Sequence, residues 1–227
     1  MEKNKIYLYF ILLSLAACKQ NTNSPAPTEP TAIEADVNKV PFDDLVNEFE
    51  SVDRVIWQKP ELVVQKLGDL TGKTIADIGA GSGYFSFRLL GKANKVVAVD
   101  IDKRFIQFMD SISTQLPVNL ESRFEARLAS ETDPRLNTME CDGAIIVNTY
   151  CYIKNRVAYL KTLMKGLKPD SKLVIIDFKK KETTIGPPNE ERLGMGEVEK
   201  DLLDAGFKSI VTDDTSLDFQ YIVTATR

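Results

Sequence analysis

Apolar residues fall along this chain in two periods, and the alternation between them predicts its architecture. Between residues 42 and 70 the helical period prevails. Phe42, Leu45, Val46 and Phe49 share one face, and Leu62, Val63 and Leu67 face inward in a second stretch running from Pro60 to Leu67. Beyond residue 70, short apolar runs alternate with helical ones. The pattern predicts strand 75–78, helix 84–91, strand 95–100, helix 103–115, strand 123–129, strand 142–147, helix 155–167, strand 172–177, helix 195–205, and two closing strands near 207–213 and 218–226. Apolar strands separated by helices imply a sheet covered on both faces. The expected fold class is therefore α/β, a doubly wound, mostly parallel, seven-stranded sheet.

The first 40 residues follow neither period. Lys3 and Lys5 precede an apolar run from Ile6 to Leu15, too short to span a bilayer comfortably, which ends in Leu15-Ala16-Ala17-Cys18. This is the charged, apolar and small-residue form of an export signal. Its LAAC ending resembles the bacterial lipobox, which implies that Cys18 is lipidated and becomes the new N-terminus. An ordinary signal peptide or N-terminal anchor with an incidental cysteine is the alternative. Lys19 to Thr31, KQNTNSPAPTEPT, is polar and Pro-rich and reads as a solvated tether. The expected organisation is a signal at 1–18, a tether at 19–40 and one globular domain at 41–227. With Cys18 lipidated, that domain would be membrane-anchored and face the periplasm or exterior.

Composition narrows the chemistry. A net charge of −4 and a pI near 5.1 argue against nucleic acid as the main partner, because phosphate contacts need clustered Lys and Arg. The 227 residues contain no histidine, which excludes Ser-His-Asp and Cys-His machinery and any His-ligated metal, and leaves carboxylates, Tyr, Lys and Cys as bases. Cys141 and Cys151 flank an expected strand, roughly 25 to 30 Å apart by rise per residue, so a disulfide or shared zinc between them is not expected. Trp57, the only tryptophan, either caps the hydrophobic edge or covers a ligand cleft.

The chemistry-bearing stretch is IADIGAGSGYFS, Ile75 to Ser86, followed by KVVAVDID ending at Asp102. A strand closing on Asp77, a loop with Gly79, Gly81 and Gly83, and a helix opening at Tyr84 form a turn whose backbone a ligand can approach closely. Asp100, roughly 20 residues on, stands where a carboxylate accepts both hydroxyls of a ribose. Asp77 beside the turn would repel a pyrophosphate but suits an ammonium or sulfonium. The spacing is GxGxG rather than GxGxxG, which disfavours a nicotinamide-dependent oxidoreductase.

These residues resemble the class I S-adenosylmethionine-dependent methyltransferases, with DIGAGSG as first motif and Asp100 as the acid after the second strand; the resemblance runs from about Phe42 to the C-terminus. It implies a Rossmann-like fold closed by an antiparallel strand, with S-adenosylmethionine as cofactor. Cofactor contacts are expected at Asp77, Gly79, Gly81, Gly83, Tyr84, Asp100, Ile101, Asn148, and Ser130 or Glu131. Asn148-Thr149-Tyr150-Cys151-Tyr152 resembles a segment that reads Asn-Thr-Tyr-His-His in related enzymes, so both imidazoles are missing here. Asp177, Tyr150 and Tyr152 are the candidate bases, and Ile185 to Pro188 with Arg192 would grip the acceptor. The expected activity is methyl transfer to a small molecule; the alternative is a lipid-anchored, non-catalytic nucleoside-binding module. The oligomeric state is open.

Overall fold

A computed structural model of the protein describes residues 41–227, so the expected signal, lipobox and tether lie outside the described residues. Three helices open the domain: α1 (Phe42–Phe49), α2 (Arg54–Gln58) and α3 (Pro60–Gln65). The sequence pattern predicts only the outer two. Residues 54–58 form a further short helix, and left-handed Lys59 (φ 49°) separates it from Pro60, which takes the first turn of α3, where its missing N–H costs nothing. The core then alternates as β1 (Thr74–Ile78), α4 (Tyr84–Leu90), β2 (Lys95–Asp100), α5 (Lys103–Ser113), α6 (Val118–Glu121), β3 (Phe124–Leu128), β4 (Cys141–Val147), α7 (Arg156–Gly166), β5 (Leu167–Phe178), α8 (Met195–Ala205), β6 (Lys208–Asp213) and β7 (Gln220–Thr226).

The seven strands form one sheet in the order β3-β2-β1-β4-β5-β7-β6. Pairings from β3 through β5 are parallel, and β7 runs antiparallel to both neighbours. The expected fold class is the observed one. Side chains alternate across the sheet with period two. Ala76, Ile78, Val97, Val99, Ala144, Ile146, Leu173 and Ile175 pack with Tyr159, Leu160 and Leu163 of α7 and Val198 and Leu202 of α8. Ile75, Val96, Ile145, Val147, Val174 and Ile176 face the other way, against Val63 and Val64 of α3 and Phe85, Leu89 and Leu90 of α4.

Two boundaries differ from the pattern for physical reasons. Strand β5 begins at Leu167, directly after α7, rather than at 172: Leu167 pairs with Cys141 before the ladder shifts register, and pairing resumes at Gly143 and Lys172. Pro169 and left-handed Asp170 (φ 59°) lie within that irregularity, which is why the stretch reads as a turn. Helix α5 stops at Ser113 rather than 115, and one extra helical turn, α6, follows Pro117. At its start, Asp102 caps α5 by accepting the N–H of Arg104 at 2.8 Å.

Candidate functional site

The chain leaves β1, winds through β2 and β3 on one side, then returns to place β4 on the other side of β1. This reversal opens a crevice at the carboxyl ends of β1 and β4, where doubly wound sheets receive ligands. The glycine loop lies there. Gly79 and Ala80 donate their N–H groups to the carbonyl of Val99 at 2.8 and 3.0 Å, which ties the loop to β2. Gly79 and Gly81 both have positive φ (71° and 54°). A Cβ at Gly79 would meet Thr149 at 2.3 Å, and one at Gly81 would meet the Phe49 ring at 2.9 Å, so neither position admits a side chain.

Two carboxylates flank the loop. Asp77 is buried and accepts the Ser86 hydroxyl at 2.6 Å. Burial pushes its carboxyl up to about 6, with Asp100 adding to the rise and the Ser86 hydrogen bond opposing it. Asp100 accepts Gly81 N–H at 2.8 Å on one oxygen and Asp102 N–H at 2.9 Å on the other. Burial raises its carboxyl as well, against those backbone donors. Each oxygen retains a lone pair for a ribose hydroxyl. Tyr84 opens α4, and its buried hydroxyl has no hydrogen-bond partner among the described residues. Among the described residues, a buried acid with no paired cation, a ribose-competent acid, an orphaned phenol and a loop whose glycines at 79 and 81 leave no room for a side chain together fit an adenosyl group bearing a positive charge.

The other expected contacts are divided. Ile101 is exposed beside Asp100. Ser130 closes a tight turn with Asp133, and Glu131 pairs with Lys154 at 3.2 Å. Asn148 ends β4 in the left-handed region (φ 54°), and its side-chain oxygen accepts Gln58 at 3.4 Å and also Gln220. Among the candidate bases, Asp177 is buried at the end of β5, accepts the N–H groups of Cys151 (3.1 Å) and Phe178 (2.9 Å), and is raised by burial. Tyr152 is partly exposed and burial raises its phenol. Tyr150 is brought elsewhere: it packs into the α7 and α8 face and donates its hydroxyl to Asp201 at 3.2 Å. Arg192 donates to the carbonyls of Lys179, Lys181, Ile185 and Pro187, so it shapes the loop beyond β5.

The opening helices are more involved in the site than their sequence suggests. Phe49 stacks on Phe105 at 5.3 Å and covers Gly81, while Ser82 donates to Glu50 at 2.6 Å. Arg54 is buried: it donates to Phe49 O (2.5 Å) and Gln58 Oε1 (2.6 Å) and lies 4.2 Å from the Tyr84 ring centre. Trp57 packs on Phe178 at 5.7 Å, over the end of β5. Segment 42–58 is thus a strap across the crevice. Cavities of about 530 and 310 Å³ lie elsewhere, at Asn155–Asp201 and at Val64–Lys92.

The fold and the crevice define a class I S-adenosylmethionine-dependent methyltransferase domain. A profile of the methyltransferase domain family matches residues 69–216, and the chain belongs to that family, whose methyl donor is S-adenosylmethionine. It is 28% identical over 146 residues to a tRNA U34 carboxymethyltransferase of Idiomarina loihiensis, covering 63% of this chain and 44% of that protein. It is 24% identical over 169 residues to phosphoethanolamine N-methyltransferase 1 of Arabidopsis thaliana, covering 70% of this chain and 34% of that one. The chain therefore spans less than half the length of these curated relatives. A solved S-adenosylmethionine-dependent methyltransferase from Aquifex aeolicus superposes with a TM-score of 0.73 at 24% identity, covering 82% of this chain and 98% of that one. Geranyl diphosphate methyltransferase gives 0.64 at 13% identity, covering 79% and 88%. These two likenesses are of fold.

Proposed function

We propose that this domain transfers the methyl group of S-adenosylmethionine to a small-molecule acceptor entering beside the ends of β4 and β5. The observation that supports this reading is the placement of Asp77 and Asp100 on either side of the glycine loop at the switch point of the sheet. Asp100 would hold the ribose, Asp77 the cationic end, Asn148 the amino group, and Ile101 with Ser130 or Glu131 the adenine; Gly79, Gly81, Gly83 and the Tyr84 N–H would line its path. The donor supplies an activated carbon: the acceptor's lone pair forms the new bond to the methyl group as the carbon–sulfur bond breaks and its electron pair stays on sulfur.

What remains for the protein is to hold the acceptor in line and keep water out, the effects that dominate such a displacement. Trp57 and Phe178, packed on each other over the end of β5, offer an apolar wall for that purpose. Where an acceptor must lose a proton, Asp177 and Tyr152 are the candidate bases, since the Tyr150 hydroxyl is held by Asp201. The net charge of −4 favours a small acceptor over the tRNA in the name of the Idiomarina relative. Calorimetric titration of the purified protein should show binding of S-adenosylmethionine and S-adenosylhomocysteine and none of NADH; binding of NADH alone overturns the reading. Turnover is then sought over small acceptors and tRNA. Binding with no turnover on any of them favours a non-catalytic nucleoside-binding module.

We also propose that Cys18 is lipidated and anchors the domain to a bacterial membrane, on the strength of the Lys3 to Cys18 pattern. None of the described helices is long and apolar enough to cross a membrane. Cys18→Ser should abolish labelling by a radioactive fatty acid and release the protein from the membrane fraction. Wild-type protein that takes no label and fractionates as soluble overturns this proposal.

A further inference from the structure

The strap turns one face into the crevice and leaves the opposite face uncovered. Arg54 and Gln58, one helical turn apart, are buried against the site. Val52, Val55 and Ile56, at the helical spacing i, i+3 and i+4, lie on the other side and are 83%, 53% and 74% exposed. None of the three belongs to a core cluster among the described residues. Apolar residues scattered singly over a surface need no explanation, but three side by side on the cover of a crevice mark a surface that meets something.

A basic rim adjoins this face. Trp57 packs on Phe178, and lysines follow both rings: Lys59 after α2, and Lys179, Lys180 and Lys181 after β5. Lys59 and Lys179 converge on one loop, donating to the carbonyls of Ser216 at 2.9 Å and Leu217 at 2.8 Å. Lys180 and Lys181 are exposed, and the nearest acid to Lys180, Glu197, stands 3.8 Å away. Asp53 and Glu182 are the exposed acids next to these residues in sequence. The size of the apolar face and the entry point of the chain select the occupant. The three side chains expose on the order of 300 Å², well short of the roughly 800 Å² a side that a stable protein partner needs. Binding to a lipid surface has no such minimum and scales with the apolar area that enters it. Residues 19–40 separate Cys18 from α1, a length that reaches at most about 75 Å, so an anchor at Cys18 holds the strap, the first element of the domain, within that distance of the bilayer.

We infer that the outer face of the strap docks on an anionic lipid surface, with Val52, Val55 and Ile56 entering the acyl boundary and the lysines at its rim meeting the headgroups. This rests on the anchoring proposed above and adds an orientation to it. The cover of the crevice and the acceptor side of the site, at the end of β5, then face the bilayer.

Trp57, the only tryptophan of the chain, follows Ile56 and reports on this face. The full chain, labelled with a radioactive fatty acid and extracted from bacterial membranes, is reconstituted into vesicles of phosphatidylcholine and phosphatidylglycerol with or without bromine on the acyl chains, a heavy atom that quenches tryptophan only at short range. Trp57 emission should fall in the brominated vesicles, and fall less when phosphatidylglycerol is left out. In the triple variant Val52→Ser, Val55→Ser, Ile56→Ser, changed only at exposed positions, acyl label and S-adenosylhomocysteine binding should persist while the quenching is lost. Labelled wild type with unquenched Trp57 overturns the inference and leaves the anchor standing, as does equal quenching in the triple variant. Quenching as strong without phosphatidylglycerol overturns the part given to the lysines. A wild-type dimer that the triple variant dissolves assigns the face to a second copy and overturns the inference too. Wild type that takes no label removes the anchor, and this inference with it.

Discussion

The charge of Asp77 bears on stability as well as on the proposed binding of the donor. Its folded pKa is raised to about 6 from an unfolded value of 3.8, so the folded state keeps the proton to higher pH than the unfolded chain does. Well below the unfolded value of 3.8 this group is neutral in both states. As pH rises from about 4 to about 6 the unfolded chain ionises first, stability falls, and above pH 6 the full cost of about 3 kcal/mol is present. Asp77→Asn should therefore resist urea better than wild type at pH 8 by roughly 1–3 kcal/mol, with the advantage fading towards pH 4. The same variant should bind S-adenosylhomocysteine more weakly. Equal urea midpoints for the two proteins at pH 8 would remove the electrostatic account. Asp77 and Asp100 are legible in the sequence because each closes an apolar run next to the glycines. Arg54, Gln58 and Gln220 are not: the Gln58–Gln220 contact joins residues 162 apart, and no local pattern records such a pair. Tyr150 and Tyr152 looked equivalent as acceptor-side phenols. The single 3-10 turn that holds both sends one into the α7 and α8 core and leaves the other partly exposed.

Among the elements, the strap formed by α1 and α2 differs most from the rest. Strands β1, β2, β4 and β5 bury nearly every apolar side chain, whereas α1 fully buries only Leu45, and Val52, Val55 and Ile56 around α2 are exposed. Its hold on the crevice rests on the Phe42 and Phe49 rings against Phe105, the Trp57–Phe178 contact, the Glu50–Ser82 bond, the Arg54–Tyr84 stack and the Gln58 amide on Gln220 and Asn148. So little buried area implies a low free energy of opening, independent of global unfolding. Amides of residues 44–58 should exchange with deuterium at least tenfold faster than those of β1 and β4, and S-adenosylhomocysteine should slow them selectively. Uniform protection across strap and sheet in the free protein would mean that the strap opens only with the whole domain. Sequence periodicity located α1 and α3 because their apolar spacing is helical. It missed α2 and the early start of β5, where pairing of Leu167 with Cys141 overrides a Pro-Asp turn signal.

On the scale of the whole molecule, sheet order is what the residues could least announce, yet the alternation of apolar runs was enough to expect a parallel, doubly wound core. Strand identities follow from local pattern; neighbours follow from packing two opposite faces of one sheet, with α3 and α4 on one side and α7 and α8 on the other. The order ends β5-β7-β6, so the strand made last in the chain lies inside the sheet, bonded to a neighbour on each edge. During synthesis, a nascent chain lacking residues 220–226 has β5 with a bare edge, β6 with no place to pair, and Asn148 without the amide of Gln220. Completion of the sheet therefore waits for residues 220–226 to leave the ribosome, and until then the polypeptide keeps two strands whose edges want the same missing partner.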